Sequence, residues 1–203
     1  MNLYNMNKAE VSGSIAGEPC RSHTSYDEDF MSFSIVVKRL SEISDVLPVI
    51  VSSNVFDIGK LKPGEPIQVR GQLRSYNELK EGYPHLRLHL FAREIGVKEE
   101  GADKNIVIIE GYTCKKPIYR ITPFGREITD LLVAVNRPYG KSDYIPIIVW
   151  GKNARFAEKL KIGQKLRIEG RFQSRQYEKN LSDGKSDTRT AYEVSVCSIY
   201  LIL

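Results

Sequence analysis

The chain is poor in the residues on which most protein chemistry depends. Its 203 residues include only three cysteines, three histidines and one tryptophan. Cys20, Cys114 and Cys197 are odd in number, widely spaced and form no CxxC pair. They therefore encode neither a disulfide framework nor a zinc motif, and are expected to be reduced, small buried hydrophobes in a cytoplasmic protein. His85 and His89 lie four apart and Cys20 and His23 three apart. Two loose pairs do not make the four spaced ligands of a structural metal site, so "PHLRLHL" reads as a strand with both histidines on its polar face and no metal is expected. No glycine-rich phosphate loop, nucleophile elbow or paired-histidine helix motif occurs. The carboxylates of "YDEDF" and "KEEGAD" fall in expected loops without a fixed basic partner. No catalytic residue and no cofactor follow from such a sequence, and the protein is not expected to be an enzyme. No apolar run reaches 18 residues, which argues against a membrane-spanning helix. The opening "MNLYNMNKAEVSG" has no charged region followed by an apolar stretch, so no secretion signal is expected.

What is present is an asymmetric charge and a repeat. The net charge is +5. Residues 1–103 carry 12 Lys and Arg against 15 Asp and Glu (−3), whereas residues 104–203 carry 18 against 10 (+8). A concentrated basic field raises the local concentration of polyanions. The repeat is visible by setting "VSGSIAGEP" (11–19) against "IEGYTCKKP" (109–117). At an offset of 98, Gly13 meets Gly111, Pro19 meets Pro117, Val37-Lys38-Arg39 meets Val135-Asn136-Arg137, Asp45 meets Asp143 and Pro48 meets Pro146. One inserted residue later, Leu61-Lys62 meets Leu160-Lys161, Gly64 meets Gly163 and Gly71 meets Gly170. Two copies of one domain of about 100 residues are the simplest reading. They are expected at 1–98 and 104–203, joined by the charged, glycine-bearing "GVKEEGADKN" (96–105).

Each copy has the same predicted order. In the second, "NIVIIEGYT", "REITDLLVAVNRP" and "YIPIIVWGK" read as strands. "NARFAEKLKIG" reads as a short helix capped by Asn153 and closed by Gly163. "QKLRIEGRFQSRQY" and "AYEVSVCSIYLIL" are two further strands around a hairpin tip, "NLSDGKSDTRT", centred on Asp-Gly. In the first copy "NVFDIGKLKPG" takes the place of the helix. Five strands with a helix between the third and fourth describe an OB-fold, a small Greek-key barrel. The predicted fold class is therefore all-β, with two tandem OB-folds.

Alternation then sorts the faces. In "YIPIIVWGK", Ile145, Ile147 and Val149 are the aliphatic, core-facing set, which leaves Tyr144, Pro146, Ile148 and Trp150 outside. In the fourth strand Leu166, Ile168, Gly170 and Phe172 face in. Lys165, Arg167, Arg171, Arg175 and Tyr177 face out, since a small barrel cannot bury so many unpaired charges. The hairpin adds Lys179, Lys185 and Arg189. Cations interleaved with exposed rings suit single-stranded nucleic acid: phosphates are neutralised and unpaired bases stack. The other reading of the rings is that they cover a subunit contact or the barrel end.

The stretch from Leu131 to Asn180 resembles the bacterial-type single-stranded DNA-binding proteins. The match is carried by "VAVNR", "DYIPIIVWGK", "AEKLKIG", "IEGRFQSRQY" and the late "YEV". The first copy matches more weakly, through Gly13, "FSIVVKR", "LPVIV" and "VRGQLRSY". The resemblance implies stacking of bases on Tyr139, Tyr144, Trp150 and Tyr177, with Arg137, Lys152, Arg171 and Arg175 nearby on the phosphates. It implies sequence-tolerant binding of single-stranded DNA in replication, recombination or repair at the nucleoid, and a homodimer with four barrels. In the first copy Val46 and Ser52 replace the two rings of the third strand. Arg39, Arg70, Arg74 and Tyr76 mark a weaker counterpart site, in a domain that either binds weakly or mainly serves assembly. The chain stops at "SIYLIL" without the acidic tail by which such proteins recruit replication and repair partners, so recruitment by that route is not expected. Two other readings stand beside this one: a protein-interaction module of a replication, primosome or conjugation assembly, and an RNA binder, since stacking does not distinguish sugars.

Overall fold

The computed structural model describes residues 7–41, 43–80, 82–180 and 186–202, with no account of the Lys80, Tyr139, Lys179, Asn180 or Ser186 side chains. Eleven strands form one continuous sheet that curls into two barrels. The first barrel comprises β1 (Asn7–Ser25), β2 (Glu28–Lys38), β3 (Ser44–Ser52), β4 (Pro66–Lys80) and β5 (Tyr83–Val97). The second comprises β6 (Asn105–Thr113), β7 (Ile118–Ile121), β8 (Glu127–Asn136), β9 (Ser142–Trp150), α1 (Lys152–Glu158), β10 (Lys165–Asn180) and β11 (Ser186–Ile202). Each barrel is closed by a short parallel pairing. Val49 and Ile50 lie beside Leu90 and Phe91 in the first, and Ile147 and Ile148 lie beside Val194 and Ser195 in the second. The architecture is the expected pair of tandem OB-folds.

The repeat landmarks have physical causes. A Cβ on Gly13, Gly71, Gly111 or Gly170 would overlap a carbonyl oxygen of the neighbouring strand: that of Val36, Phe91, Ala134 or Ser195 respectively. Only glycine permits strands to approach this closely where the sheet curls. Gly64 and Gly163 have φ of +84° and +88° and make the same left-handed turn before the fourth strand of each barrel. Asn7 bonds the backbone of Leu73 from both ends of its amide, and Asn105 does the same to Phe172.

The cores follow the predicted alternation. Leu47, Val49 and Val51, and Ile145, Ile147 and Val149, are all buried, as are Leu166, Ile168 and Phe172. Several local expectations are corrected. The first-copy helix is a single 3-10 turn, Ile58–Lys60, capped by the Asp57 side chain. In α1 the N-cap is Gly151, not Asn153, and the helix ends at Glu158, before Gly163. β7 was not expected; it pairs with β8 from Ile118↔Asp130 to Ile121↔Glu127 and continues the second barrel beyond the break at Pro117. Ile148 is buried although it shares a face with Trp150, and so is Ile128, the β8 residue beside Trp150. Both lie outside the main core cluster and make a second apolar layer beneath the ring. Cys20 and Cys197 are exposed and only Cys114 is partly buried, so the thiols are not the buried hydrophobes expected. The Asp-Gly hairpin tip lies outside the described residues.

The barrels are related by a local two-fold axis that the chain builds within itself. β1 and β6 pair antiparallel, with Asn7 opposite Ile109, Ala9 opposite Val107 and Val11 opposite Asn105. Ala9 thus faces its own repeat equivalent, which is the register of an isologous contact. The linker is tied down: Lys98 pairs with Asp103, the Lys38 backbone N–H donates to Asp103, and Ser12 and Lys104 exchange two bonds.

Candidate nucleic-acid interface

The outer face of β9–β11–β10 brings three of the expected groups together. Trp150 is 39% exposed over the Ile128–Ile148 layer. Its indole N–H donates to Ser195 Oγ at 3.1 Å, which fixes the ring plane. Ser195 lies opposite Arg171 across the β10–β11 ladder, so Arg171 shares the face of the sheet that carries the Ser195 hydroxyl. Arg171 is exposed and forms no ion pair among the described residues. Lys152, two residues beyond the ring, is likewise exposed. Further along β10, Arg175 lies 5.8 Å from the centroid of the Tyr177 ring and 3.4 Å from Glu193. Burial pushes the Glu193 carboxyl above the ordinary range, against the pull of Arg175. Tyr144, 45% exposed, stands six residues from Trp150 on the same strand face, about 20 Å away at the rise of an extended chain. Its backbone N–H donates to Ser75 Oγ of the other barrel, so this ring sits at the junction.

Other expected residues are placed differently. Arg137 and Arg39 are engaged in contacts between the barrels. Arg137 is held by buried Asp143 and donates to the Ser75 carbonyl. Arg39 grips buried Asp45 through two bonds and donates to the Ser174 carbonyl. Ser75 and Ser174 return their backbone N–H groups to Asp143 and Asp45, each at 2.7 Å. These are the two symmetric copies of one inter-barrel lock, which repetition alone could not distinguish from a basic binding motif. Arg74 reaches Asp143 as well. Arg167 is compensated by Glu110 and Glu169 on the face around β6, and Arg70 by Glu10 and Glu94. Arg189 pairs with Asp187. The side chains of Tyr139 and Lys179, and all of Lys185, lie outside the described residues.

Two residues that the sequence did not single out complete the picture: Ser195 orients the tryptophan, and Ile128 joins the buried Ile148 in supporting it. On the first barrel, Phe91 occupies the sheet position of Ser195, since each pairs with the equivalent residue of the third strand, Ile50 or Ile148. Ring and hydroxyl have exchanged strands: the second barrel has Trp150 on Ser195, and the first has Phe91 beside Ser52. The repeat match ended at Gly71, before β5, so this exchange had no signal in the sequence.

Two tandem OB barrels, with a cation-and-ring face on the second, define the class. Residues 104–202 match the Single-strand binding protein family. It is 39% identical over 88 residues to Single-stranded DNA-binding protein 3 of Listeria innocua, covering 40% of this chain and 54% of that one. It is 37% identical over 81 residues to the Single-stranded DNA-binding protein of Clostridium tetani, covering 36% and 56%. The chain thus spans about half the length of the curated relatives it matches. The fold as a whole superposes on the single-stranded DNA binding protein from Thermus aquaticus with a TM-score of 0.78, at 19% identity, over 98% of this chain and 93% of that one. A deletion mutant of the same Thermus protein gives 0.76 at 20% identity, over 98% and 95%.

Proposed function

We propose that the protein binds single-stranded DNA with little dependence on sequence, in replication, recombination or repair at the nucleoid. The observation that carries this reading is Trp150, the one tryptophan, held half-exposed by Ser195 on the same sheet face as Arg171, a cation with no ion pair among the described residues. A protein packing its largest ring for stability alone would bury it. Here the ring offers a face to which a base can stack, worth about 1–3 kcal/mol per base. Tyr144, Tyr139 and Tyr177 extend the stacking track, and Lys152, Arg171, Arg175, Lys179 and Lys185 line it with charge. Arg189 and Arg167, each paired with a carboxylate, add less. Binding is an equilibrium of stacking and counterion release, without a catalytic step or cofactor. The relatives named for single-stranded DNA binding favour this over the protein-interaction reading. The working division of the chain is 1–98 and 104–203, the second unit being the main binder.

Assembly as a homodimer with four barrels accompanies the proposal. Ile106 and Tyr112 on β6 and Tyr200 on β11 are exposed and offer apolar contacts to it among the charges of Glu110 and Arg167. Titration of Trp150 fluorescence with oligo-dT tests the main proposal. Quenching that weakens as salt rises is expected, and no binding even at low salt would overturn it. Light scattering of the same samples reports the assembly state.

A further inference from the structure

β7 ends the sheet and pairs on one side only, with β8. The turn between the two strands fixes which backbone groups are left over. Thr122 donates its backbone N–H to the Arg126 carbonyl at 2.8 Å, and bonded pairs alternate along an antiparallel ladder. Arg120 and Ile118 are therefore the residues that bond to β8. The N–H and C=O groups of Tyr119 and Ile121 point to the outer side, where no strand meets them among the described residues. Glu127, opposite Ile121, agrees with this register: its carbonyl accepts from Gly151 on the far side of β8.

Free edges are usually blunted by polar side chains. On this one Ile118 is 62% and Ile121 63% exposed, and Phe124 at the turn is 91% exposed. None of the three belongs to the core cluster. At the repeat offset of 98, the first barrel has Cys20 and His23 in place of the two isoleucines. There His23 is stacked on Phe30, and Arg21, Thr24 and Asp29 close a polar cluster along the same stretch. The aliphatic edge is thus confined to the second barrel, and the fold does not need it. Its charge is one-sided. Asp130 and Glu127 are taken up by Arg120 and Arg155. Lys115, Lys116 and Arg126 are exposed and form no ion pair among the described residues.

We infer that the β7 edge is a docking site for a protein partner, which adds an extended, acidic segment with aliphatic side chains as a further strand. Main-chain bonds to Tyr119 and Ile121 supply the affinity, and the flanking isoleucines and cations choose the side chains. A second copy of the chain is a poor occupant, because edge-to-edge pairing would bring the unpaired cations together. A nucleic-acid strand is poorer still. Phosphates are acceptors only and cannot satisfy the free carbonyls, and isoleucine offers no ring on which a base can stack. The site does not depend on the DNA-binding reading of the protein.

A fluorescein-labelled peptide of alternating valine and aspartate is the probe, titrated with the full chain and read by anisotropy. Binding is expected, and Ile121→Pro, which deletes one outward N–H and spares the bonds to β8, should raise the Kd about tenfold. Methylating the peptide nitrogens on alternate residues should abolish binding in one register and spare it in the other, because only alternate N–H groups face β7. The methylated peptides carry the test on the unmodified protein, whatever the proline does to folding. Absence of peptide binding at low salt, indifference of a folded Ile121→Pro protein, or equal behaviour of the two methylated peptides would overturn the site. An equal loss of oligo-dT affinity in Ile121→Pro would overturn it too, by giving the edge to nucleic acid.

Discussion

The two barrels share a backbone plan and differ in how each presents its rings and charge. The second displays Trp150 on an open face next to Arg171. The first sets Phe91 back under two arginines and leaves Tyr76 at the mouth of a cavity. What they have in common is structural: the glycines at close strand approaches, the asparagine that ties the first strand to the fourth, and the aspartate that locks each barrel to the serine of the other. A repeat therefore preserves what folding and assembly require, while contact residues drift between neighbouring strands of the same face. Residues that matched best across the copies, Arg39 with Arg137 and Asp45 with Asp143, turned out to be the lock and not the binding track.

The lock should give the largest effect. Asp143 is buried and holds two guanidiniums and a backbone N–H, so Asp143→Ala should destabilise the fold by about 3–5 kcal/mol in urea unfolding. Asp45→Ala, which strands only one guanidinium, should cost less. Equal losses would mean that the two halves of the lock are energetically alike despite the extra arginine.

Protonation should separate the barrels next. His89 and Glu193 occupy equivalent sheet positions, opposite Arg74 and Gln173. The folded His89 resists protonation down to about 4, whereas the unfolded chain takes the proton near 6.5. Its contribution is thus complete above pH 6.5 and is lost as pH falls from there toward 4, amounting to about 3 kcal/mol at most. Glu193 has the opposite sign, since its raised carboxyl favours the folded state at low pH and opposes it as pH rises through the folded value. His89→Gln should flatten the loss of stability between pH 6.5 and 4.5 in chemical unfolding. An unchanged profile would place the pH dependence elsewhere.

Stacking and charge give the smaller effects. Trp150→Ala should weaken oligo-dT binding by about 1–3 kcal/mol, read by anisotropy. Ser195→Ala, which frees the indole N–H, should weaken it by less than truncation of the ring does. Arg171→Ala should lower the slope of log affinity against log salt by about 0.7, the share of one single-strand phosphate. Arg167→Ala, already neutralised by Glu110 and Glu169, should leave the slope nearly unchanged. A larger effect from Arg167 would mean that the track runs over the β6 face.

Alternation and glycine spacing alone were enough to read the tandem barrels, their cores and the outward face of Trp150, Arg171 and Tyr177. These features depend on strand period and local sterics, which act between residues near each other in sequence. What sequence could not supply depends on residues that meet only across strands. Nothing local says that Ser195 would seat the indole, that Phe91 would take its place in the other barrel, or that Arg137 would cross the junction to line a cavity of the first. The net charge of a half misled for the same reason. Carboxylates and guanidiniums sum without regard to position in a sequence, but the fold puts Glu10, Glu94 and Glu99 on the seam side with Arg70 and Lys104 and leaves the cavity to the arginines.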